Sequence, residues 1–458
     1  MEAFLQDSGI DYAVPLSNEF ASLQQSYTGP HNNSQPSIIT LPETAEHVSL
    51  IATHCIANKL QFVVRGGGHD LFGRFTSTAA VSIDLRKLNS TIVSEDKTFA
   101  RVGGGATHTQ VLTELAKYGL QAPVGICGDV GYASWCLVGG FGPYSSSYGI
   151  GSDQILGAKV VNANGDLVEA DERLLRGLRG GGGSLAIVVE LIVKVYPLQP
   201  VHAGVFVYSA GDLSQTVATF FSNYNELLMK YTELPRQLCI QPLVCPIGPF
   251  GVVTACLLIW NGEATAETFN WIDYVAGLAP LMPGLPEARS LVNLTTAHLF
   301  CIYMTEMLPR SVVGTAQAVS VKEYSPQVVE VLAKLTGALP EGFAGGFNIH
   351  TLRAESPSCS ASVPDSVVPY RIPQAIFEIA GFASEEVFAG GCVEWAAELR
   401  KQLIETDAAL PASYLALTAP EFIDLDKIYG KERLENLRRI KSEVDPNGVF
   451  ANTVPRLV

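Results

Sequence analysis

Apolar positions along this chain recur with two periods, and the switches between them mark its elements. Ala45 to Lys59 repeats apolar residues at helical spacing and reads as an amphipathic helix. Gln61 to Val64 is a short apolar run, read as a buried strand that delivers Gly66 to Gly68 to a sheet edge. Ala80 to Asp84 predicts a second strand, ahead of the run Ser94 to Gly103, and Thr107 to Tyr118 returns to helical spacing. Between Val201 and about Ala419 strand-like runs (Ala203 to Tyr208, Val252 to Trp260, Ala375 to Ala380) alternate with helices such as Leu213 to Lys230. The tail from Glu421 changes character again: Lys431 to Val444 is strongly helical, and Asp445-Pro446-Asn447-Gly448 stops it.

Length and composition narrow the picture. A chain of 458 residues exceeds one ordinary core, so two domains of about 200 residues each are expected. With 47% apolar and 16% charged residues it is a compact globular chain. A net charge of -15 argues against polyanionic partners, so nucleic acid is not expected as a ligand. No run approaches the roughly 20 apolar residues needed to cross a bilayer, so no membrane partner is expected either. Met1 to Ile10 lacks a basic segment followed by an apolar one. The expectation is a cytoplasmic protein, secreted only if a signal preceded this start. Nine cysteines without paired spacing or nearby histidine clusters resemble neither a zinc site nor a disulfide scaffold, so no metal ligands are expected.

Three glycine clusters carry the chemistry: Arg65-Gly66-Gly67-Gly68-His69, the stretch Gly125 to Gly142, and Arg179 to Gly183. Each lets backbone N–H groups approach a ligand closely, and pyrophosphate suits such concave rows of donors. None has the G-x-G-x-x-G context of a Rossmann fold or the G-x-x-x-x-G-K-[ST] phosphate loop. Tight turns in a β-rich protein would explain one cluster; three within about 120 residues favour a dinucleotide.

With these motifs in order, the chain resembles the FAD-linked oxidases of the berberine bridge enzyme type, within the vanillyl-alcohol oxidase superfamily. The resemblance rests on Val64 to His69, Ser82-Ile83-Asp84-Leu85, Cys127-Gly128-Asp129-Val130-Gly131, Val138 to Gly142, Tyr148 to Asp153, Arg179 to Gly183 and the tail Asp445 to Asn452. It implies an α+β, two-domain fold. A discontinuous FAD-binding domain (residues 1–199, rejoined by 421–458) would flank an antiparallel-sheet substrate domain backed by helices (200–420).

The resemblance also implies FAD held covalently: His69 on the 8-alpha methyl of the ring and Cys127 as a thioether to its 6-carbon, the alternative for Cys127 being a buried apolar thiol. Arg65, Gly66, Gly67, Gly68, Gly131, Gly139 and Gly140 fall on the cofactor wall by the same match, and Asn452 on a position approaching ring or substrate. The implied reaction is hydride loss from a small organic substrate to flavin, with dioxygen as acceptor.

The match fails where the family keeps its base. The Y-x-N-Y stretch is Tyr414-Leu415-Ala416-Leu417 here, so Tyr414 survives while Leu417 has no ionisable group. Trp135 stands where histidine is common, and Ser184-Leu185-Ala186 replaces N-F-G. Tyr370, in a P-Y-R stretch resembling a substrate-facing strand, is the leading replacement catalyst beside Tyr414; Tyr144 and His350 are weaker ones. A pocket so altered points to an alcohol, amine or phenol of natural-product type. A non-redox cyclase that uses FAD as architecture, or a carbohydrate oxidase, are the alternatives.

Overall fold

A computed structural model of the protein describes residues 1–26, 35–231, 233–283, 292–307, 312–369 and 371–457. Among them the strands form four sheets. A four-stranded sheet runs in the order Asp11–Ala13, Ile38–Leu41, Val81–Asp84, Phe62–Arg65. Its last three strands are parallel because the helix Ala45–Ala57 serves as crossover. Thr44 caps that helix by accepting from the His47 N–H, and Val48, Ile51, Ala52 and Cys55 bury its apolar stripe. The helix ends two residues before the expected Lys59, which lies at φ +53°.

Beside it stands a five-stranded antiparallel sheet: Thr91–Val93, Phe99–Gly103, Ile187–Lys194, Ile155–Val161 and Leu167–Glu169. The tail helix Lys431–Val444 returns to this half, with Leu434, Leu437 and Ile440 joining Leu174, Leu178 and Leu185 in one core. Lys441 is buried there and donates to Ser184 O (2.7 Å) and Asp445 (2.5 Å); Asp445 accepts the Val449 and Phe450 N–H groups in turn.

The remaining residues build an eight-stranded antiparallel sheet. Two central neighbours matter for the site, Gly346–Leu352 and Gln374–Ala383. Side chains alternate across a strand, so Phe347, Ile349, Ala375, Phe377 and Ile379 all fall on one face. There they pack under the helices Leu213–Lys230, Pro326–Thr336 and Ala389–Ile404. Asn348, His350, Ile376 and Glu378 fall on the opposite face. No helix among the described residues is long and apolar enough to cross a membrane.

One expectation fails locally. Pro369 and Arg371 lie outside any strand, which begins only at Gln374, and Tyr370 lies outside the described residues. Pro369 and Pro373 have no N–H for a ladder, and the Arg371 guanidinium is drawn to Asp153 (2.6 and 3.0 Å) and the Ser366 hydroxyl (2.9 Å). That ion pair fastens the loop to the Tyr148-to-Asp153 motif with 15% and 8% of the two side chains exposed. Asp153→Ala is expected to strand a largely buried guanidinium at a cost of about 3–5 kcal/mol. Thermal unfolding checks it, and an unchanged midpoint would mean the pair contributes nothing.

Candidate active site

The strand Phe62–Arg65 hands the chain to Gly66–Gly68, and the spacing of backbone there decides the site. A Cβ on Gly67 would lie 2.4 Å from Gly131 N and 2.8 Å from Asp129 O, while one on Gly131 would lie 2.6 Å from Gly67 N. Two glycine loops therefore touch backbone to backbone. Gly68, at φ +75°, turns the chain over the Arg65 guanidinium. Arg65 donates to Leu23 O and to Gln25 O (2.5 Å), and its guanidinium carbon sits 4.7 Å from the Phe75 ring centre. Burial, with Arg86 alongside, outweighs Asp84 and pulls its pKa down to about 10. Arg65 thus departs from its expected place: it braces the loop from behind and does not line the cavity.

The contact brings the two expected attachment residues together. His69 Nε2 lies 3.1 Å from Cys127 Sγ, and the thiol donates to the Asp129 carboxylate at 3.1 Å. His69 Nε2 and Asp129 are 3.8 Å apart. Burial first, then the Asp129 charge, pushes the Cys127 thiol pKa well up. Behind it His108 Nδ1 lies 3.0 Å from Cys127 O, an acceptor only, so Nδ1 carries the proton. Burial holds this imidazole neutral, its pKa pushed down to about 3.

His69, Cys127 and His108 open on a cavity of about 400 Å³ between the N-terminal half and the eight-stranded sheet. All three glycine clusters reach it, through Gly66, Gly67, Gly68, Gly131, Gly182 and Gly183, and Asn452 lies on the same wall. Gly139 and Gly140 do not line it; the Gly140 N–H donates to the Tyr414 hydroxyl at 3.3 Å, so this pair serves the site by seating Tyr414. Tyr414 lines the cavity edge-on to Phe141, followed by Leu415, Ala416 and Leu417. Burial pushes its phenol pKa well up, so the hydroxyl keeps its own proton and the phenolate that could take another is disfavoured. Tyr144 is fully buried outside the cavity, its phenol raised by burial as well, and cannot meet a ligand there. Trp135 lines the wall and donates from Nε1 to Phe141 O (3.1 Å).

To the same cavity the eight-stranded sheet contributes Asn348, His350 and Glu378. Glu378 faces Asn348 directly across the strand pair. His350 Nε2 lies 3.3 Å from the Glu378 carboxylate and the Asn348 amide 3.5 Å from it, while Gln241 donates to Asn348 Oδ1 at 2.7 Å and fixes that amide. Burial alone would raise the Glu378 pKa, but the His350 contact followed by Asn348 outweighs it and holds the carboxyl below its usual value. Of this trio sequence reading found only His350. The available signal was that Glu378 is the only ionisable residue in Ala375 to Ala380, at a position the alternation exposes. Arg74 also escaped notice. It pairs with Asp70 (2.6 Å) and donates to Leu415 O (3.2 Å) and Ala416 O (2.8 Å), tying the His69 loop to the Tyr414 segment.

The donor set fits FAD: glycine loops too close for any side chain, two nucleophilic side chains at one place, and the orphaned, buried Nε2 of His108 on the wall. Gly67→Ala is expected to force the two loops apart and cut flavin content per folded chain severely. Visible absorbance beside circular dichroism measures it, and full yellow loading would refute the packing argument.

Comparison with known proteins agrees. Residues 36–171 match the FAD binding domain family model. The chain is 30% identical over 457 residues to the FAD-dependent monooxygenase tpcD of Cochliobolus heterostrophus, covering 92% of this chain and 84% of that one. It is 29% identical over 437 residues to the FAD-linked oxidoreductase aurO of Gibberella zeae, covering 93% and 82%. Its fold is that of the berberine bridge enzyme from Eschscholzia californica, with a TM-score of 0.82 at 18% identity over 98% of this chain and 97% of that one. The chain belongs to the family of FAD-linked oxidoreductases that carry this FAD binding domain, on the fold of the berberine bridge enzyme.

Proposed function

We propose that this FAD-dependent oxidoreductase is an oxidase of a small, largely apolar natural-product-type alcohol, amine or phenol, with FAD joined covalently to His69 and Cys127 and dioxygen as acceptor. The observation that carries the reading is that one cavity gathers two nucleophiles, His69 and Cys127, and the carboxyl of Glu378, whose contacts with His350 and Asn348 favour its charged form. When bound, FAD supplies the acceptor for the two electrons of a hydride. The chain supplies the rest.

Glu378 takes the proton from the substrate O–H or N–H as hydride leaves carbon, the work the family's second tyrosine would do where Leu417 now stands. Its partners keep it charged and aimed, and Gln241 keeps Asn348 from flipping. Leu415, Leu417, Trp135 and Phe141 offer apolar surface to a ring system and exclude water. That composition favours a hydrophobic substrate over a sugar, whose many hydroxyls would lose hydrogen bonds on entry.

Two measurements test this. Intact-mass analysis after denaturation, with peptide mapping, is expected to find flavin on both the His69 and Cys127 peptides; unmodified peptides on both would sink the covalent reading. Natural-product alcohols, amines and phenols are expected to bleach the flavin anaerobically, and simple sugars are not. For the compound that bleaches it fastest, Glu378→Gln is expected to lower kcat by about 10²–10⁴-fold at unchanged flavin content. Because the carboxyl pKa is depressed, the base is active at neutral pH, and activity falls only as pH drops through a value below the ordinary glutamate one. An acid limb that survives in the variant would assign it to another group.

A further inference from the structure

The residues around Cys127 form a proton path as well as an attachment point. We propose that Asp129 is the base that takes the Cys127 proton when the thioether to the flavin forms, so that the chain catalyses its own second bond; this rests on the covalent reading above. The thiol has a single proton, and it is directed at Asp129 across 3.1 Å. His69 Nε2, also 3.1 Å from the sulfur, is the competing acceptor, and the Asp129 variants below distinguish the two.

His108 is excluded. Its Nδ1–H is committed to the Cys127 carbonyl and the ring resists protonation until about pH 3. A base in contact is required because the thiolate is the nucleophile, and a buried thiol beside a carboxylate ionises little by itself. Asp129 has 38% of its side chain exposed, so a proton received there has a route to water.

The backbone of this segment is pinned to serve that geometry. The Gly128 N–H donates to Thr305 Oγ1 at 2.5 Å, and a Cβ on Gly128 would lie 2.0 Å from Thr109 Oγ1. Together with the His108 bond, these contacts hold residues 127 to 129 between two helices, His108–Ala116 and Ala297–Met307.

The step balances as thiol plus ring C–H plus dioxygen giving thioether plus hydrogen peroxide. Asp129 accepts the S–H proton as the sulfur bonds to carbon 6 and two electrons enter the oxidised ring. The C–H proton then leaves, and the two electrons pass to dioxygen, which departs with two protons as hydrogen peroxide.

Flavin linkage, rather than turnover, reads this directly. Wild type, Asp129→Asn and Asp129→Glu are expressed with ample flavin, and the share of Cys127 peptide carrying flavin is mapped over time. The expected result is a thioether that forms about 10²–10⁴-fold more slowly in Asp129→Asn, leaving Cys127 open to alkylation after denaturation. The His69 bond, total flavin and melting temperature should match wild type, and Asp129→Glu should recover the thioether. Full thioether in Asp129→Asn overturns the proposal. So does wild type bearing the His69 bond alone, which leaves the His69 part of the earlier reading standing; wild type without any covalent flavin overturns both. If Asp129→Asn does not fold, Asp129→Ser with added formate decides: thioether restored by the carboxylate supports Asp129 as base, and no restoration overturns it.

Discussion

The contact of Gly67 with Gly131, backbone against backbone, is the constraint on which the site rests. Each interior glycine raises the entropy lost on folding, about 0.5–1 kcal/mol relative to alanine, so such clusters cost stability wherever they occur. Their return is distance. With no Cβ between them, two loops from different parts of the chain close until His69 and Cys127 share a hydrogen-bonding distance, and glycine backbone lines the cavity around them. Arg65 holds the arrangement from behind, and His108 holds it from beneath by gripping the Cys127 carbonyl.

The second wall follows a different logic. A carboxylate on a sheet face would be costly to bury alone, and burial does act to neutralise Glu378. His350 and Asn348 reverse the balance because the antiparallel register sets Asn348 opposite and His350 diagonal to it, both on the face turned from the helices. A carboxylate is thereby favoured in its charged form on the wall of a cavity that also carries apolar side chains, where charges act more strongly than in water.

The two walls hold a common geometry because side chains from each half end in the other. Arg74 reaches from the His69 loop to the carbonyls of Leu415 and Ala416, and Arg371 reaches from the sheet side to Asp153. Tyr414 is seated by Gly140 in the same manner. The shared apolar core running from Tyr132 and Trp135 to Leu257, Val367 and Leu437 makes these ties part of one packed unit.

Local signals were legible without coordinates. The helices Leu213–Lys230 and Lys431–Val444 appear over the residues that periodicity marks, because stripe and caps are written within the segment. The glycine clusters with His69 and Cys127 announce a dinucleotide flavin site because ordered motifs carry their meaning in the chain itself. Tertiary structure alone decided which of the candidates meet. Tyr144 and Tyr414 are both tyrosines near glycines, yet only Tyr414 lines the cavity. Arg65 belongs to the most telling motif, yet it does not line the cavity and donates to Gln25 O behind the loop. Glu378 stands alone as an acid in an apolar strand, and only strand register reveals Asn348, His350 and Gln241 around it. Proton chemistry depends on distances between residues remote in sequence, and those are set by how sheets and loops pack.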